Sequence, residues 1–333
     1  DFKLGKKLKD YESITFLGFI NLIQEEYKEA LENFNSAIII NDTYMFAYFG
    51  KIMTYYKQSK YELAINELEN LKNIGVLSFR DYSFFHFVKG EIYLSQNKYR
   101  LCINEFNKAL SLGNTDFEIF RDKGYAYEKL NNHNKAIKNY TKAIKIEPNM
   151  YELYLYRGNV MLVYKQNYQK AIDDFIKATD LAPNEPLGFS FLGRAYYELG
   201  KFPLAVQNFS IAIIKDIDEE YPSLFFYRAL AQLKLNEYKL ANSDFQKAIE
   251  KGAENKGEIY YFIGRIYSET KDYKTAISYY TKSIDYGYDT PENSYLKRSE
   301  SYKMMGDDYN AESDIANFEK IIKEKSYNYL WLN

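Results

Sequence analysis

Hydrophobic positions recur along this chain with two superimposed periods. Apolar and small residues return every three or four positions, which is the spacing of one face of an α-helix. A longer step of about 34 residues brings seven segments into register: "FLGFINLIQEEYKEALENFNSAI", "FVKGEIYLSQNKYRLCINEFNKAL", "FRDKGYAYEKLNNHNKAIKNYTKAI", "LYRGNVMLVYKQNYQKAIDDFIKAT", "SFLGRAYYELGKFPLAVQNFSIAI", "FYRALAQLKLNEYKLANSDFQKAI" and "YFIGRIYSETKDYKTAISYYTKSI". Two weaker copies, "AYFGKIMTYYKQSKYELAINEL" and "YLKRSESYKMMGDDYNAESDI", complete a set of about nine. The chain is therefore predicted to be a repeat array.

Each position within the repeat has a fixed character when a copy is numbered from its first helical residue. An aromatic residue falls at position 4, small residues fall at 8, 20 and 27, and an aromatic residue falls near 24. Positions 4, 8 and 11 share one face of a helix, as do 20, 24 and 27, so each copy predicts two amphipathic helices. Small residues at 8 and 20 let these helices approach closely, while the aromatic side chains fill the space between neighbouring pairs.

The segment "FSFLGRAYYELGKFPLAVQNFSIAI" carries this helix-pair pattern most fully. Its defining positions are Phe189, Leu192, Gly193, Tyr196, Gly200, Phe202, Ala205, Phe209 and Ala212. The pattern resembles the tetratricopeptide repeat (TPR) superfamily, with Phe where that family often has Trp, and the resemblance extends from about Tyr11 to Phe318. It implies an all-α, right-handed superhelical solenoid of antiparallel helix pairs. In such arrays the first helices line a concave groove that binds peptides or partner helices.

The resemblance divides the chain into three parts. Residues 1–10 are expected to be a helical lead-in or the end of an unseen upstream segment, residues 11–316 one continuous array, and residues 317–333 a capping helix with an aromatic tail. The repeats are expected to start near residues 11, 45, 83, 117, 151, 186, 222, 257 and 292. Two departures stand out: Ile52 occupies a small-residue position in the second repeat, which an insertion follows, and one extra residue precedes Tyr168 in the fifth.

Function is expected on the helix face that the fold does not use. At about 100° per residue, positions 5, 9 and 12 lie roughly opposite positions 4, 7, 8 and 11, and by the resemblance they line the groove. In the first three repeats these positions and the adjoining position 2 are mostly apolar, with Phe19, Leu22, Phe46, Phe49, Met53, Tyr56, Phe84, Phe87 and Leu94. In later repeats they are mixed polar and aromatic, with Arg121, Tyr125, Glu128, Asn159, Arg194, Tyr197, Tyr261 and Arg265.

These two regions predict a non-catalytic protein-interaction scaffold. The apolar repeats are expected to accept an amphipathic helix or apolar peptide, while the later arginines contact acidic or carbonyl groups. In one alternative, residues 1–10, upstream residues or a second copy of the chain cover the apolar patch, so self-association stays open. In another, the array binds RNA or another polyanion through its arginines, with Tyr125 and Tyr261 as stacking partners.

Residue types that often carry chemistry fall at structural repeat positions. His86 and His133 occupy the aromatic positions 4 and 17, and Cys102 occupies the small position 20, so all three are expected to be structural substitutes. Asp173 and Asp174 are expected on the solvated face of a second helix. No metal centre, catalytic triad or phosphate-binding glycine loop can be assembled from the sequence. We therefore predict no enzyme, no metal and no cofactor.

A basic residue recurs at position 7 of several repeats: Lys89, Lys123, Arg157, Arg228 and Arg298. Recurrence at one position of the repeat indicates a role in the repeat itself. We expect these side chains to pair with a neighbouring repeat, and not to bind a substrate.

Charge and composition narrow the class of partner. Lys plus Arg number 44 against 46 Asp plus Glu, so no global basic field favours nucleic acid or an anionic membrane. Apolar runs fall far short of the roughly 20 residues that span a bilayer. The first residues lack signal-peptide features and the chain has one Cys, which favours a reducing, cytoplasmic compartment. The chaperone-tail clamp of some TPR domains pairs Lys at position 5 with Asn at position 9, and it is not matched because Asn159 follows Leu155 at position 5.

Overall fold

The computed structural model describes residues 11–73, 79–217 and 221–331, with side chains for residues 11–73, 82–217 and 221–325. Every regular element within them is an α-helix. These eighteen described helices are α1 (Tyr11–Ile23), α2 (Tyr27–Ile40), α3 (Met45–Lys57), α4 (Tyr61–Asn73), α5 (Phe79–Ser95), α6 (Tyr99–Ser111), α7 (Phe117–Lys129), α8 (His133–Ile146), α9 (Tyr151–Val163), α10 (Tyr168–Leu181), α11 (Pro186–Glu198), α12 (Phe202–Lys215), α13 (Ser223–Lys234), α14 (Tyr238–Glu250), α15 (Lys256–Glu269), α16 (Tyr273–Asp285), α17 (Pro291–Met304) and α18 (Asp308–Trp331). The predicted all-α array of about nine helix pairs is confirmed.

The chain divides into two compact units, an N-terminal unit of residues 1–160 and a C-terminal unit of residues 161–333. In both, odd-numbered helices are the first helices of the repeats and even-numbered helices the second. The predicted lead-in, residues 1–10, lies outside the described residues, and so do the side chains of the aromatic tail, Tyr327 to Trp331. Helix α5 begins at Phe79, four residues before the start expected near residue 83.

A short loop with one left-handed residue joins the two helices of each repeat. The left-handed residues have φ between 47° and 78° and are Glu25, Ser59, Asn97, Asn131, Gln166, Gly200, Asn236, Lys271 and Gly306. The next amide donates back to a carbonyl five residues earlier, as Lys201 does to Tyr196 at 2.9 Å, which closes the first helix. The fifth repeat absorbs its extra residue here, because Asn167 donates to Met161, six residues earlier, at 2.9 Å.

A ring at position 24 of the second helix fills the gap between the helices of a pair. Phe106 is fully buried, and a Cβ atom added to Gly90 would lie 2.5 Å from its ring. On its other side such a ring meets position 6 of the next repeat, as where Phe245 stacks on Phe262 with centroids 5.8 Å apart. The same close approach joins Gly18 to Phe34, Gly124 to Tyr140, Gly193 to Phe209 and Gly264 to Tyr280. Where position 6 of the next repeat also carries a ring, the position-24 ring therefore packs against both its own pair and the next one.

The second repeat solves the same packing problem with aliphatic side chains. Ile52 at position 8 is fully buried against Leu68, which replaces the ring at position 24. Since the larger residue at one position faces a smaller one at the other, the gap between the helices is filled without overlap. The departure seen at Ile52 in the sequence is thus a compensated exchange.

Basic residues at position 7 tie neighbouring second helices together. Arg228 donates to both oxygens of Asp244 on α14 at 2.6 and 2.8 Å, and to Ser210 on α12 at 3.0 Å. Arg298 repeats the pattern, with Asp314 at 2.8 and 2.7 Å and Thr281 at 2.8 Å. The predicted contact with a neighbouring repeat is made by the hydrogen bonds to Ser210 and Thr281, whereas the ion pairs with Asp244 and Asp314 lie within the arginine's own repeat.

One sequence-based expectation for a second helix is wrong. Asp173 is exposed, but Asp174 is buried, with 6% of its surface accessible, so a solvated face describes only the first of these adjacent aspartates. Asp174 occupies position 23 once the extra residue of its repeat is counted. In the seventh and ninth repeats, Asp244 and Asp314 occupy position 23 and bind the arginines at position 7. Asp174 therefore stands at a position that the repeat uses for structure.

Gly90→Ala is expected to destabilise the chain, although alanine is the better helix former by about 1 kcal/mol. The added methyl group would overlap the Phe106 ring, and overpacking of a core costs about 1–3 kcal/mol. We expect a net loss of about 1–2 kcal/mol in urea unfolding followed by circular dichroism. Adding Phe106→Leu, which imitates the aliphatic Ile52 and Leu68 pair of the second repeat, should recover part of the lost stability. A Gly90→Ala variant as stable as the parent would contradict this packing.

Lys271→Gly is expected to stabilise the eighth repeat. Lys271 has φ of 66°, a conformation that glycine adopts without the steric cost that a side chain imposes. We expect a gain of about 0.5–1 kcal/mol in thermal unfolding. Lys274→Gly, in the first turn of α16, is the matched control and should destabilise instead. Equal effects of the two substitutions would exclude the conformational explanation.

Candidate partner-binding groove

Exposed rings project from the first helices of the N-terminal unit. Phe46 on α3 and Phe84 on α5 are 54% and 40% exposed. Phe84 packs edge-on against Phe49 with centroids 4.6 Å apart, and lies 6.1 Å from Phe87. The structure thus brings three predicted groove residues, Phe49, Phe84 and Phe87, into one aromatic row across α3 and α5.

Other predicted apolar residues form a half-buried layer beneath these rings. Phe49, Tyr56 and Phe87 pack against the core cluster that contains Ile52, and Phe19 lies edge-on to the core ring Phe34. Met53, Leu22 and Leu94 are also half-buried. Phe46 instead lies beside Tyr44, at 5.7 Å, outside the aromatic row. The accessible apolar surface is therefore smaller than the sequence pattern indicates.

Arg121, predicted to grip a partner, already binds a carboxylate of its own helix. Its Nε and Nη2 donate to the two oxygens of Asp122 at 2.7 and 2.9 Å, a bidentate pair. Hydrogen bonding to Asp122 raises the pKa of the guanidinium. A ligand would have to displace Asp122, so the structure makes Arg121 an internal partner.

Glu91, at position 9 of the third repeat, lies on α5 and interacts with Asp122. Burial raises the pKa of the Glu91 carboxyl to about 8, and the charge of Asp122 and a hydrogen bond to it act in the same direction. The Glu91 Oε1 atom is buried with no hydrogen-bond partner within the described side chains. A carboxyl group that holds its proton near neutral pH therefore adjoins the Arg121 and Asp122 pair.

The C-terminal unit presents its two groove arginines differently. The Arg194 guanidinium lies over the rings of Phe191 and Tyr227, at 5.9 and 5.6 Å, and that of Arg265 lies over Phe262 at 5.7 Å. Among the side chains that the structure describes, neither arginine forms an ion pair. Each guanidinium thus lies within cation–π range of a ring, and its N–H groups could still donate to a bidentate acceptor.

A cleft of 440 Å³ lies beside Arg265 in this unit. Its residues come from three consecutive first helices, the loop after α13 and the first residue of α14: Tyr197, Leu230, Leu233, Lys234, Asn236, Tyr238, Phe262, Arg265, Ile266 and Glu269. Burial raises the pKa of Tyr197, and the nearby positive charge of Arg265 opposes that rise. The structure therefore places two predicted polar residues, Tyr197 and Arg265, in one site.

The remaining predicted residues contribute less accessible surface. Tyr261 stacks on Tyr288 with centroids 5.2 Å apart and planes 27° apart, and burial raises its pKa. Tyr125 is 40% exposed, with Tyr99 edge-on at 6.3 Å and the Lys129 ammonium 5.1 Å from its ring. Asn159 on α9 is half-buried, and Glu128 accepts a hydrogen bond from Tyr140 at 3.2 Å. These residues do not converge on a single site.

Sequence reasoning missed the residues that decide how these sites work. Asp122 stands at position 6, where the later repeats have stacking rings, and this polar exception was the available signal for a local charge network. Leu230 and Leu233 stand at positions 9 and 12 of the seventh repeat, between the two arginine-bearing repeats. Their position on the groove face could be predicted from the sequence. The cleft that they line could not, because it depends on how three helices pack together.

The cysteine and the two histidines, which are the residue types most often found in catalytic or metal sites, lie at positions that the repeat uses for packing or helix formation. Cys102 is fully buried at position 20, and burial raises the pKa of its thiol. His86 Nδ1 lies 2.6 Å from Glu105, and His133 begins α8. Within the described side chains no group of three His, Cys, Asp or Glu could hold a metal ion. None of the described helices is long and apolar enough to cross a membrane.

Glu91→Gln is expected to stabilise the chain in a pH-dependent way. Because the folded pKa of about 8 exceeds the ordinary 4.5, the parent loses stability as pH rises through this interval. The glutamine variant does not titrate, so its advantage should grow between pH 4 and pH 8.5 in urea unfolding, by up to about 1.4 kcal/mol for each pH unit between the two pKa values. Glu29→Gln, an exposed control on α2, should show no such trend. A pH-independent difference for Glu91→Gln would contradict the shifted pKa.

Family models for the tetratricopeptide repeat match residues 85–114, 117–150, 162–224, 192–256 and 257–286, and together these matches cover more than half of the chain. Tetratricopeptide repeat protein 6 of Homo sapiens is 28% identical over 174 residues, which is 50% of this chain and 33% of that protein. The anaphase-promoting complex subunit CDC16 of Saccharomyces cerevisiae is 27% identical over 175 residues, 51% of this chain and 20% of that protein. The chain thus spans a third or less of the length of these relatives.

A solved structure shows the same architecture. The C-terminal part of a TPR repeat-containing protein from Cytophaga hutchinsonii superposes with a TM-score of 0.58 at 22% identity, covering 71% of this chain and 97% of that one. At this identity the likeness concerns the fold alone. The observed helix pairs and the small residues at positions 8 and 20 fit the family models that match these residues. The chain therefore belongs to the tetratricopeptide repeat family.

Proposed function

We propose that this protein is a non-catalytic scaffold that binds a segment of a partner protein on the exposed face of its first helices. The observation that carries the proposal is the placement of Phe46 and Phe84, which are exposed at positions that the repeat does not need for packing. The name of the yeast relative, a subunit of the anaphase-promoting complex, agrees with a role in assembling proteins.

The N-terminal unit suits an amphipathic helix or an apolar peptide. Phe84 stands above the half-buried rings of Phe49 and Phe87, so a ligand would bury a continuous aromatic row and not an isolated side chain. Exposed apolar rows on folded proteins usually mark interaction sites, and a helix laid in a groove buries them with one apolar face.

Ring geometry favours a peptide over a nucleic acid. Base stacking needs an accessible aromatic face. One face of Tyr261 is covered by Tyr288, and the Lys129 ammonium lies over the ring of Tyr125 at 5.1 Å. The formal net charge of −2 also supplies no general attraction for a polyanion.

Affinity capture from a lysate of the source organism tests this proposal. The bait is the 333-residue chain, with nuclease treatment and a high-salt wash, and retained proteins are identified by mass spectrometry. We expect one or a few proteins to be retained by the parent and lost with Phe46→Glu plus Phe84→Glu, because each glutamate places an unpaired charge on the exposed apolar surface of the first helices.

The matched control is Leu63→Glu plus Leu101→Glu. These leucines are 45% and 47% exposed but lie on second helices, so their substitution should leave capture unchanged. Circular dichroism should show the same helix content and melting midpoint for both double variants. Capture that survives the Phe substitutions, or that is abolished equally by the Leu substitutions, would contradict binding on the first helices.

A further inference from the structure

The first helices α11, α13 and α15 of the C-terminal unit carry Arg194, Leu230 and Arg265 at position 9 in turn. An apolar side chain therefore stands between two cations on one row of the groove face. We propose that this row binds a partner segment in which a leucine-sized side chain is flanked on both sides by Asp or Glu. The proposal rests on the scaffold function above and specifies the ligand of its second unit.

The state of the two arginines supports a carboxylate ligand. Every other arginine described on a first helix has an internal acceptor: Arg121 binds Asp122, Arg157 binds Thr141, Arg228 binds Asp244 and Arg298 binds Asp314. Arg194 and Arg265 instead rest on rings, with no ion pair among the described side chains. A stacked guanidinium is already oriented, so a carboxylate can bind its edge without further ordering of the side chain.

The cleft beside Arg265, which Leu230 also lines, supports an apolar central residue. Leu230, Leu233 and Ile266 contribute apolar lining, and the cleft volume of 440 Å³ exceeds that of one aliphatic side chain. Lys234 and Arg265 are its cations, against the single carboxylate of Glu269. The charge of this lining therefore favours an acidic segment, while its apolar part rewards a buried leucine.

Peptide binding to the 333-residue chain tests this assignment. The probes are fluorescent 12-residue peptides with one leucine and a glutamate on each side, at separations of one to four residues in a glycine and serine background. We expect at least one spacing to bind. Its affinity should fall about tenfold when either glutamate becomes glutamine or the leucine becomes serine, and it should fall as salt rises from 50 to 500 mM.

Variants locate the site. Arg194→Gln and Arg265→Gln should each weaken the best peptide about tenfold, whereas Arg100→Gln, an exposed arginine of α6, should not. Arg265→Lys should recover only part of the affinity, because an ammonium keeps the charge but not the planar, bidentate edge. Melting midpoints equal to that of the parent exclude loss of fold as the cause.

Three results would overturn the assignment. These are equal binding of the glutamine-substituted peptides, equal binding by the Arg194→Gln and Arg265→Gln variants, and oligouridine that binds with the same arginine dependence. An amphipathic leucine-rich helical peptide runs in parallel. If that peptide binds and is lost with Phe46→Glu plus Phe84→Glu while no acidic peptide binds, this assignment fails and the scaffold function stands. If neither peptide class binds, the assignment fails and the scaffold function loses support with it.

Discussion

The ring at position 24 is the contact on which the rest of the array depends. It packs against a small residue of its own first helix and, in the fourth to seventh repeats, also against a ring at position 6 of the next repeat, so there the same side chain sets the spacing within a pair and between pairs. Where the ring changes, its partner changes with it, as Ile52 and Leu68 show. Such nearest-neighbour contacts are the usual source of stability in repeat proteins.

This contact determines which surface is left for function. Packing uses positions 8, 20, 24 and 27 of the repeat, and position 7 is used where an arginine binds a buried aspartate, as in Arg228 and Arg298. Positions 5, 9 and 12 remain, and the two units use them differently. The N-terminal unit presents an aromatic row and the Glu91 carboxyl group beside the Arg121 and Asp122 pair. The C-terminal unit presents arginines that lie over rings, one of them beside a partly apolar cleft.

The fold was predictable from the sequence because the same pattern of small and aromatic residues recurs in most repeats. This pattern indicates which faces of the two helices of a repeat pack against each other. Groove residues were predictable only as positions on a face. Arg121 and Arg265 look alike in the sequence, yet one is bound to Asp122 and the other rests on Phe262, because ion pairing depends on neighbours that the repeat pattern does not specify. Asp174 was misjudged for a similar reason, since its burial follows from a loop with one extra residue that shifts its register.

Binding on the first helices can be tested by site-specific photo-cross-linking in a lysate of the source organism. A photoreactive phenylalanine analogue would be placed at Phe84, on a first helix, and in a second sample at Leu101, on a second helix. The two sites are 40% and 47% exposed, so accessibility alone does not distinguish them. If partners bind on the first helices, we expect a discrete protein cross-link at position 84 and none at position 101. Equal cross-linking at both sites, or cross-linking at position 101 alone, would contradict that expectation.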